Sequence, residues 1–304
     1  MRIYGRCIIL TRVGVVVVNA GEKRERINLI MAGGGTRLSA HIGALAAFEK
    51  MGVEIVSIAG ASGGSIIGAY LAAGWSVEEM YRLVMETDFT HFKDFSLISL
   101  LFQNGVYSGK RFETWMDRHL KEIKFKDLRR ELYITAIDLV GQEPVFFSRE
   151  ATPDLSVSKA VRYSMSFPGV WSAHRWNGKV LVDGNLIPWI PRLIDTMESH
   201  RKVDRTITLR MVTDATLVSA SKRYLWPWEF FRILLATMGT AMENQRVPGW
   251  LWHDTILIQT GKIHALQLKL TRAEKEQLFQ CGYEQVQLYF NKKAALDSVP
   301  AKAL

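Results

Sequence analysis

The run Ile55-Val56-Ser57-Ile58-Ala59-Gly60-Ala61-Ser62-Gly63-Gly64-Ser65-Ile66-Ile67 changes character at its centre. Ile55 to Ala59 is short, apolar and β-branched, the pattern of a buried parallel strand. Ser65 to Ala73 is rich in small and apolar residues and reads as a helix. Between them, Gly60-Ala61-Ser62-Gly63-Gly64 fits G-x-S-x-G. Small residues around a serine at a strand-to-helix junction permit a sharp, strained turn that lifts the hydroxyl above the sheet. The amides at the start of the following helix then face any negative charge formed there. The plain alternative is a tight turn with an idle serine.

The same strand-to-helix grammar surrounds this junction. Ile27 to Ala32 is a second apolar run, closed by Gly33-Gly34-Gly35-Thr36-Arg37 and followed by Leu38, Ile42, Leu45 and Phe48 at helical spacing. Further strands are expected at 132–138, 144–148, 206–212 and 255–259, and Asn177-Gly178 is expected to turn a hairpin. Ser76 with Glu79, and Thr271 with Glu274, are capping boxes, the second for a helix running to about Lys293. Neither a repeat nor a Pro- or Gly-rich linker interrupts the pattern. One α/β domain over 27–304 is the reading, with 1–26 an extension and 222–304 a helical C-terminal part.

Composition sets the outer limits. A chain of 304 residues with 48% hydrophobic and 23% charged residues is an ordinary globular protein. Two cysteines, Cys7 and Cys281, exclude a disulfide framework and a multi-cysteine zinc site, and make a reducing compartment the expectation. The net charge of +9 favours an anionic partner, nucleic acid or membrane surface. Part of it belongs to the extension, whose six Lys or Arg face only Glu22 and Glu25.

Residues 7–18 are apolar but too short to cross a bilayer, and Arg12 interrupts them. Three readings stay open: a signal peptide ending near Ala20, an extra strand or surface anchor, and an extension the fold does not need.

Gly33-Gly34-Gly35 offers backbone amides to an oxyanion or a phosphate. A dinucleotide fingerprint would require glycine at position 38, where Leu38 stands, and a P-loop would require Gly-Lys-Ser/Thr. An oxyanion loop paired with the serine turn is the better fit. Downstream, Val180-Leu181-Val182-Asp183-Gly184-Asn185 ends an apolar run with a carboxylate beside a permissive glycine, which taken alone is most simply a turn.

In this order, the three elements resemble the patatin-like phospholipase family. That family carries a glycine-rich oxyanion loop, a G-x-S-x-G turn and an Asp-Gly-Gly or Asp-Gly-Asn motif. Ser164-Met165-Ser166-Phe167-Pro168-Gly169-Val170-Trp171 is similar to its segment upstream of the aspartate. Leu38 replaces a glycine common in the loop, and Ser39 precedes Ala40-His41-Ile42-Gly43. The resemblance covers about residues 27–186 and implies a three-layer α/β/α fold around a mostly parallel sheet.

It also implies a Ser–Asp dyad, with Ser62 the nucleophile and Asp183 the general base. Gly33, Gly34, Gly35 and Gly63 then form the oxyanion hole, supported by Gly60, Gly64, Gly184 and Arg37. Arg37 orients the loop or attracts a lipid phosphate, with plain surface solvation as the alternative. The implied activity is hydrolysis of fatty-acyl esters of membrane phospholipids, without cofactor or metal. A non-phospholipid lipid esterase or thioesterase, and a catalytically idle binding protein on the same fold, are the alternatives. Some family members are effectors held inactive until a protein or a cyclic nucleotide arrives, and no motif here shows such a site; an oligomer stays open. The implied location is cytoplasmic, at the inner face of the membrane.

His200, His253 and His264 all follow Asp183, so chain order alone leaves a Ser–Asp–His triad open. Trp226, Trp228, Trp250 and Trp252 lie close together in sequence and suit a membrane–water boundary, unless 225–241 is a core helix. Phe89 to Val106 reads as a lid or groove wall over Ser62. Lys121 to Arg130 is the best basic patch, but Glu122 and Asp127 make it a solvated helix face and no nucleic-acid module is present, so nucleic acid is not expected.

Overall fold

The computed structural model describes residues 6–11, 14–19, 24–200, 202–214, 226–243, 245 and 247–297. The N-terminal apolar run is an antiparallel hairpin, β1 (Arg6–Thr11) and β2 (Gly14–Asn19), forming its own two-stranded sheet.

The main sheet starts with β3 (Arg26–Ala32). It is followed by α1 (Leu38–Lys50), β4 (Glu54–Ala61), α2 (Gly63–Ala73) and α3 (Val77–Glu86). Ser76 caps α3 through the reciprocal box with Glu79. Residues 89–107 fold into a 3-10 turn (Phe89–Phe92), the short helix α4 (Leu97–Phe102) and β5 (Gly105–Tyr107). Then come α5 (Lys110–Leu120), β6 (Glu131–Asp138), β7 (Glu143–Phe147), α6 (Val157–Ser164), β8 (Gly169–Trp171), β9 (His174–Trp176) and β10 (Lys179–Val182). Asn177 and Gly178 turn β9 into β10, both at positive φ. The chain closes with α7 (Ile190–His200), β11 (Arg205–Val212), α8 (Pro227–Glu243), β12 (Thr255–Gln259) and α9 (Arg272–Asp297).

The strand order is β12-β11-β3-β4-β6-β10-β9, with β7 also on β6. Pairing is parallel from β12 to β6 and antiparallel at β7, β9 and β10. The sheet is thus mostly parallel, and β3 and β4 read as near-continuous apolar runs because both faces are covered. Alternation along β3 separates the two faces. Ile27, Leu29 and Met31 join a core with α1, α2 and α9, while Ile30 points the other way onto Trp189, Leu193 and Met197 around α7.

The strand expected at 255–259 is β12, which the C-terminal part supplies to the sheet. The last helix continues past the expected Lys293 to Asp297. That helix packs against α1 at backbone contact: a Cβ on Gly43 would lie 1.9 Å from the Phe279 carbonyl oxygen, and one on Gly282 1.9 Å from that of Ala40. Glycines on both helices allow this close approach, which holds α1, and the loop before it, against the C-terminal helix.

Candidate active site

The serine junction sits where β4 hands over to α2. Ser62 has φ 51° and ψ −126°, a strained conformation for a residue with a side chain. The two residues that follow it are glycines because there is no room for a side chain. A Cβ on Gly63 would come within 2.3 Å of the Gly35 carbonyl oxygen, and one on Gly64 within 2.1 Å of that of Met31.

Strain needs a restraint, and Ser164 supplies one. Its hydroxyl accepts the Ser62 N–H at 2.9 Å and donates to the Thr135 carbonyl at 2.6 Å. The same short segment holds the acidic loop: Ser166 O accepts the Asp183 N–H and Ser164 O accepts the Gly184 N–H, each at 2.9 Å. The end of α6 is therefore a bracket between the serine and the aspartate. Nothing local in the sequence marks Ser164 for this role, because it depends on where α6 lies against β4 and β10; the only signal was its place in the segment 164–171.

Asp183 is buried, whereas Ser62 is half-buried and opens into a cleft. Burial pushes the Asp183 carboxyl up to about 6, against the opposing pull of the Asn185 N–H at 2.8 Å and the Ser62 hydroxyl. A carboxylate in this range is mostly ionised at neutral pH yet more basic than a solvated one.

The three-glycine loop closes the other side. Gly33, Gly34 and Gly35 all have positive φ, at 67°, 115° and 56°, so the peptide units turn as a nest. No described residue accepts the N–H of Gly34, Gly35 or Gly63. Leu38 opens α1 in helical conformation and lines the cleft, so a glycine is not needed there.

Arg37 is fully buried beneath this loop. Its Nε donates to Gly34 O at 3.0 Å, Nη1 to Thr260 at 2.9 Å, and Nη2 pairs with Glu243 at 2.7 Å. Of its expected roles only loop orientation is compatible with this burial; neither surface solvation nor attraction of a lipid phosphate at the surface is. His41 is the loop's second support. Burial holds its imidazole down at about 4, so the ring is neutral and Nε2–H donates to Gly33 O at 3.0 Å.

These parts face one cleft of about 830 Å³ including its solvent-open mouth. Its walls are apolar, with Ile66, Phe89, Phe92, Phe112, Phe167 and Trp171 among the lining residues. The expected groove-wall segment thus contributes Phe89 and Phe92, while α4 beyond them is exposed. α8 has two sides: Met242 and Glu243 reach the cleft, whereas Trp226, Phe230 and Leu234 are exposed, as are Trp250 and Trp252. The Trp228 side chain lies outside the described residues.

Among the described residues no histidine lines the cleft. The basic stretch 121–130 is a turn around Phe125–Asp127 rather than a helix face; its Phe125 and Leu128 are buried and Lys126 pairs with Asp154. No described group of three or more His, Cys, Asp or Glu residues is placed to hold a metal ion. No described helix is long and apolar enough to cross a membrane.

Comparison with known proteins bears on the family and the fold. The protein R571 of Acanthamoeba polyphaga mimivirus is 28% identical over 277 residues, covering 85% of this chain and 92% of its own. The probable lipid hydrolase 463L of Invertebrate iridescent virus 6 is 24% identical over 221 residues, 67% of this chain and 74% of its own. The crystal structure of VipD from Legionella pneumophila superposes with a TM-score of 0.62 at 13% identity, over 96% of this chain and 71% of that one, a likeness of fold. The family described as Patatin-like phospholipase matches residues 29–192, just over half the chain and all three motifs. The chain belongs to the patatin-like phospholipase family of lipid hydrolases.

Proposed function

We propose that this protein cleaves fatty-acyl esters of membrane phospholipids through a Ser62–Asp183 dyad. The observation that carries the reading is that a strained serine and a buried carboxylate, Ser62 and Asp183, line the same cleft, with burial raising the Asp183 carboxyl to about 6. Asp183 takes the Ser62 proton as the hydroxyl oxygen attacks the acyl carbonyl. The amides of Gly34, Gly35 and Gly63 hold the oxyanion, each donor worth about 3–4 kcal/mol of transition-state stabilisation. Collapse releases the lysophospholipid, which leaves with the proton from Asp183. Water then attacks the acyl-enzyme with Asp183 again as base, freeing the fatty acid and Ser62.

The apolar walls suit acyl chains, and the exposed Trp226, Trp250 and Trp252 suit a membrane–water boundary, so the protein works as a peripheral visitor to the bilayer. The test is fatty-acid release from mixed phosphatidylethanolamine–phosphatidylglycerol vesicles by wild type and Ser62→Ala. Release by the wild type alone is expected; equal release by both sinks the proposal.

A further inference from the structure

Residues 94–108 form a loop closed at its neck, with its returning side held to the body: the Ala173 N–H donates to Gln103 O at 3.0 Å, the Gly169 N–H to Asn104 O at 3.2 Å, and β5 pairs with β8. The Ser108 N–H donates to Asp94 O and the Ser96 N–H to Val106 O, each at 3.2 Å, and Phe95 pairs antiparallel with Tyr107. The Asp94 carboxylate ties the neck to α5, accepting from the Ser108 hydroxyl at 2.6 Å, the Gly109 N–H at 2.8 Å and the Arg111 N–H at 3.2 Å. Just beyond the neck Ser96 caps α4 through the Ser99 N–H, and Ser99 is the buried residue of that helix.

The outward side of α4 is the reverse of what water selects. Leu97, Ile98, Leu101 and Phe102 are all exposed, Ile98 at 67% and Phe102 at 77%. Isolated exposed apolar residues are ordinary, but a run of them on one short projecting element marks an interaction surface. The neck is different in kind: Lys93, Lys110 and Arg111 are exposed there, and between Phe89 and Phe112 the only acidic residue is Asp94, whose oxygens are already engaged. Both ends of the loop run into the cleft wall, through Phe92 on one side and Phe112 on the other. Its strand β5 pairs with β8, whose Trp171 lines the same cleft.

We propose that residues 94–108 are an insertion wedge for an anionic lipid surface, with α4 entering the acyl boundary and Lys93, Lys110 and Arg111 resting on the phosphates. The order of zones decides for a bilayer: an apolar tip and then a neck with three exposed cations, Lys93, Lys110 and Arg111, outnumbering the flanking Asp88 and Glu113, reproduce acyl chains and then anionic headgroups. Interfacial helices bury their apolar side about 5–10 Å deep, a reach suited to one short helix. The wedge would bring the cleft mouth to the bilayer, so its purpose rests on the hydrolase reading, although its binding does not.

The test uses the full chain carrying Ser62→Ala, which binds lipid without consuming it, so the partition is read whether or not the protein is a hydrolase. Co-sedimentation is measured with phosphatidylcholine vesicles and with vesicles containing phosphatidylglycerol. Preference for the anionic vesicles is expected, with partition falling about tenfold or more in Ile98→Ser/Phe102→Ser. Lys93→Gln/Lys110→Gln/Arg111→Gln should lose the anionic preference and its salt sensitivity. Melting temperatures should stay at the parent value, because all five side chains are exposed. Unchanged partition in both variants overturns the wedge. So does a dimer that the Ile98→Ser/Phe102→Ser change converts to monomer while vesicle binding persists, since the occupant would then be a second copy of this chain.

Discussion

The hydroxyl oxygen of Ser164 lies 2.9 Å from the amide nitrogen of Ser62 and accepts its N–H. Through its own carbonyl, the same residue holds the loop that carries Asp183. The distance between nucleophile and base is therefore set by the end of α6 as much as by either motif.

Ser164→Ala leaves the Ser62 N–H without its acceptor while sparing the backbone bond to Gly184. The expected outcome is a fall in kcat on a soluble short-chain ester of about 10- to 100-fold, corresponding to about 1–3 kcal/mol for one buried unpaired donor. KM and the circular dichroism spectrum should change little. Stability should fall with kcat by about 1–3 kcal/mol, and a stability loss with kcat unchanged would show that Ser164 braces the fold but not the nucleophile.

Asp183 connects pH to both rate and stability. The dyad needs the carboxylate, so kcat/KM should be level above pH 7 and fall about tenfold per unit well below pH 6. The stability effect has the opposite sign. Because the folded value of about 6 exceeds the ordinary 3.8, the unfolded chain gives up this proton first, and stability is lost as pH rises from about 4 to 6. The upper bound is about 3 kcal/mol. Asp183→Asn should therefore melt a few degrees higher than wild type at pH 8, melt with it at pH 4, and have lost activity. Melting curves at the two pH values check this.

Arg37 and Glu243 form a buried ion pair beneath the glycine loop. Replacing Glu243 by alanine leaves the fully buried Arg37 charged and unpaired, at a cost of about 3–5 kcal/mol, whereas Arg37→Ala leaves Glu243 at the solvent-open cleft and costs less. Arg37→Ala should lose activity as well, because the Gly34 carbonyl loses its brace. In a double-mutant cycle by denaturant unfolding, the double variant should be less destabilised than the two single losses added together. Additive losses would mean that the pair is not coupled.

Gly63 separates the serine turn from the oxyanion loop. Gly63→Ala drives a methyl group against the Gly35 carbonyl, at 2.3 Å before relaxation. Turnover should drop at least 100-fold by steady-state assay, since sub-ångström placement of the donors is what stabilises the oxyanion. Gly52→Ala, with nothing within 4 Å of the added carbon, should leave kcat unchanged despite some backbone strain at its positive φ.

What could be read in advance follows physical range. Gly60 to Gly64, the three glycines at 33–35 and the Asp183-Gly184 turn are local, because each backbone bend needs its own small residues. Capping boxes at Ser76 and Thr271 are local too, and both form. The burial of Arg37 is set by Thr260 and Glu243, more than 200 residues away, so the side chain read equally well as a surface group. α4 shows the converse: its apolar run reads as part of a lid or groove wall, and only the packing reveals that five of its six side chains are exposed.

The central claim is that Asp183 activates Ser62, and the most direct measurement is the rate at which an alkyl fluorophosphonate attaches to the protein, followed by mass spectrometry of the peptide carrying Ser62. Phosphonylation of Ser62 is predicted in the wild type, slowed at least 100-fold in Asp183→Asn and absent in Ser62→Ala. An adduct on another residue, or equal rates with and without the Asp183 carboxylate, would contradict it.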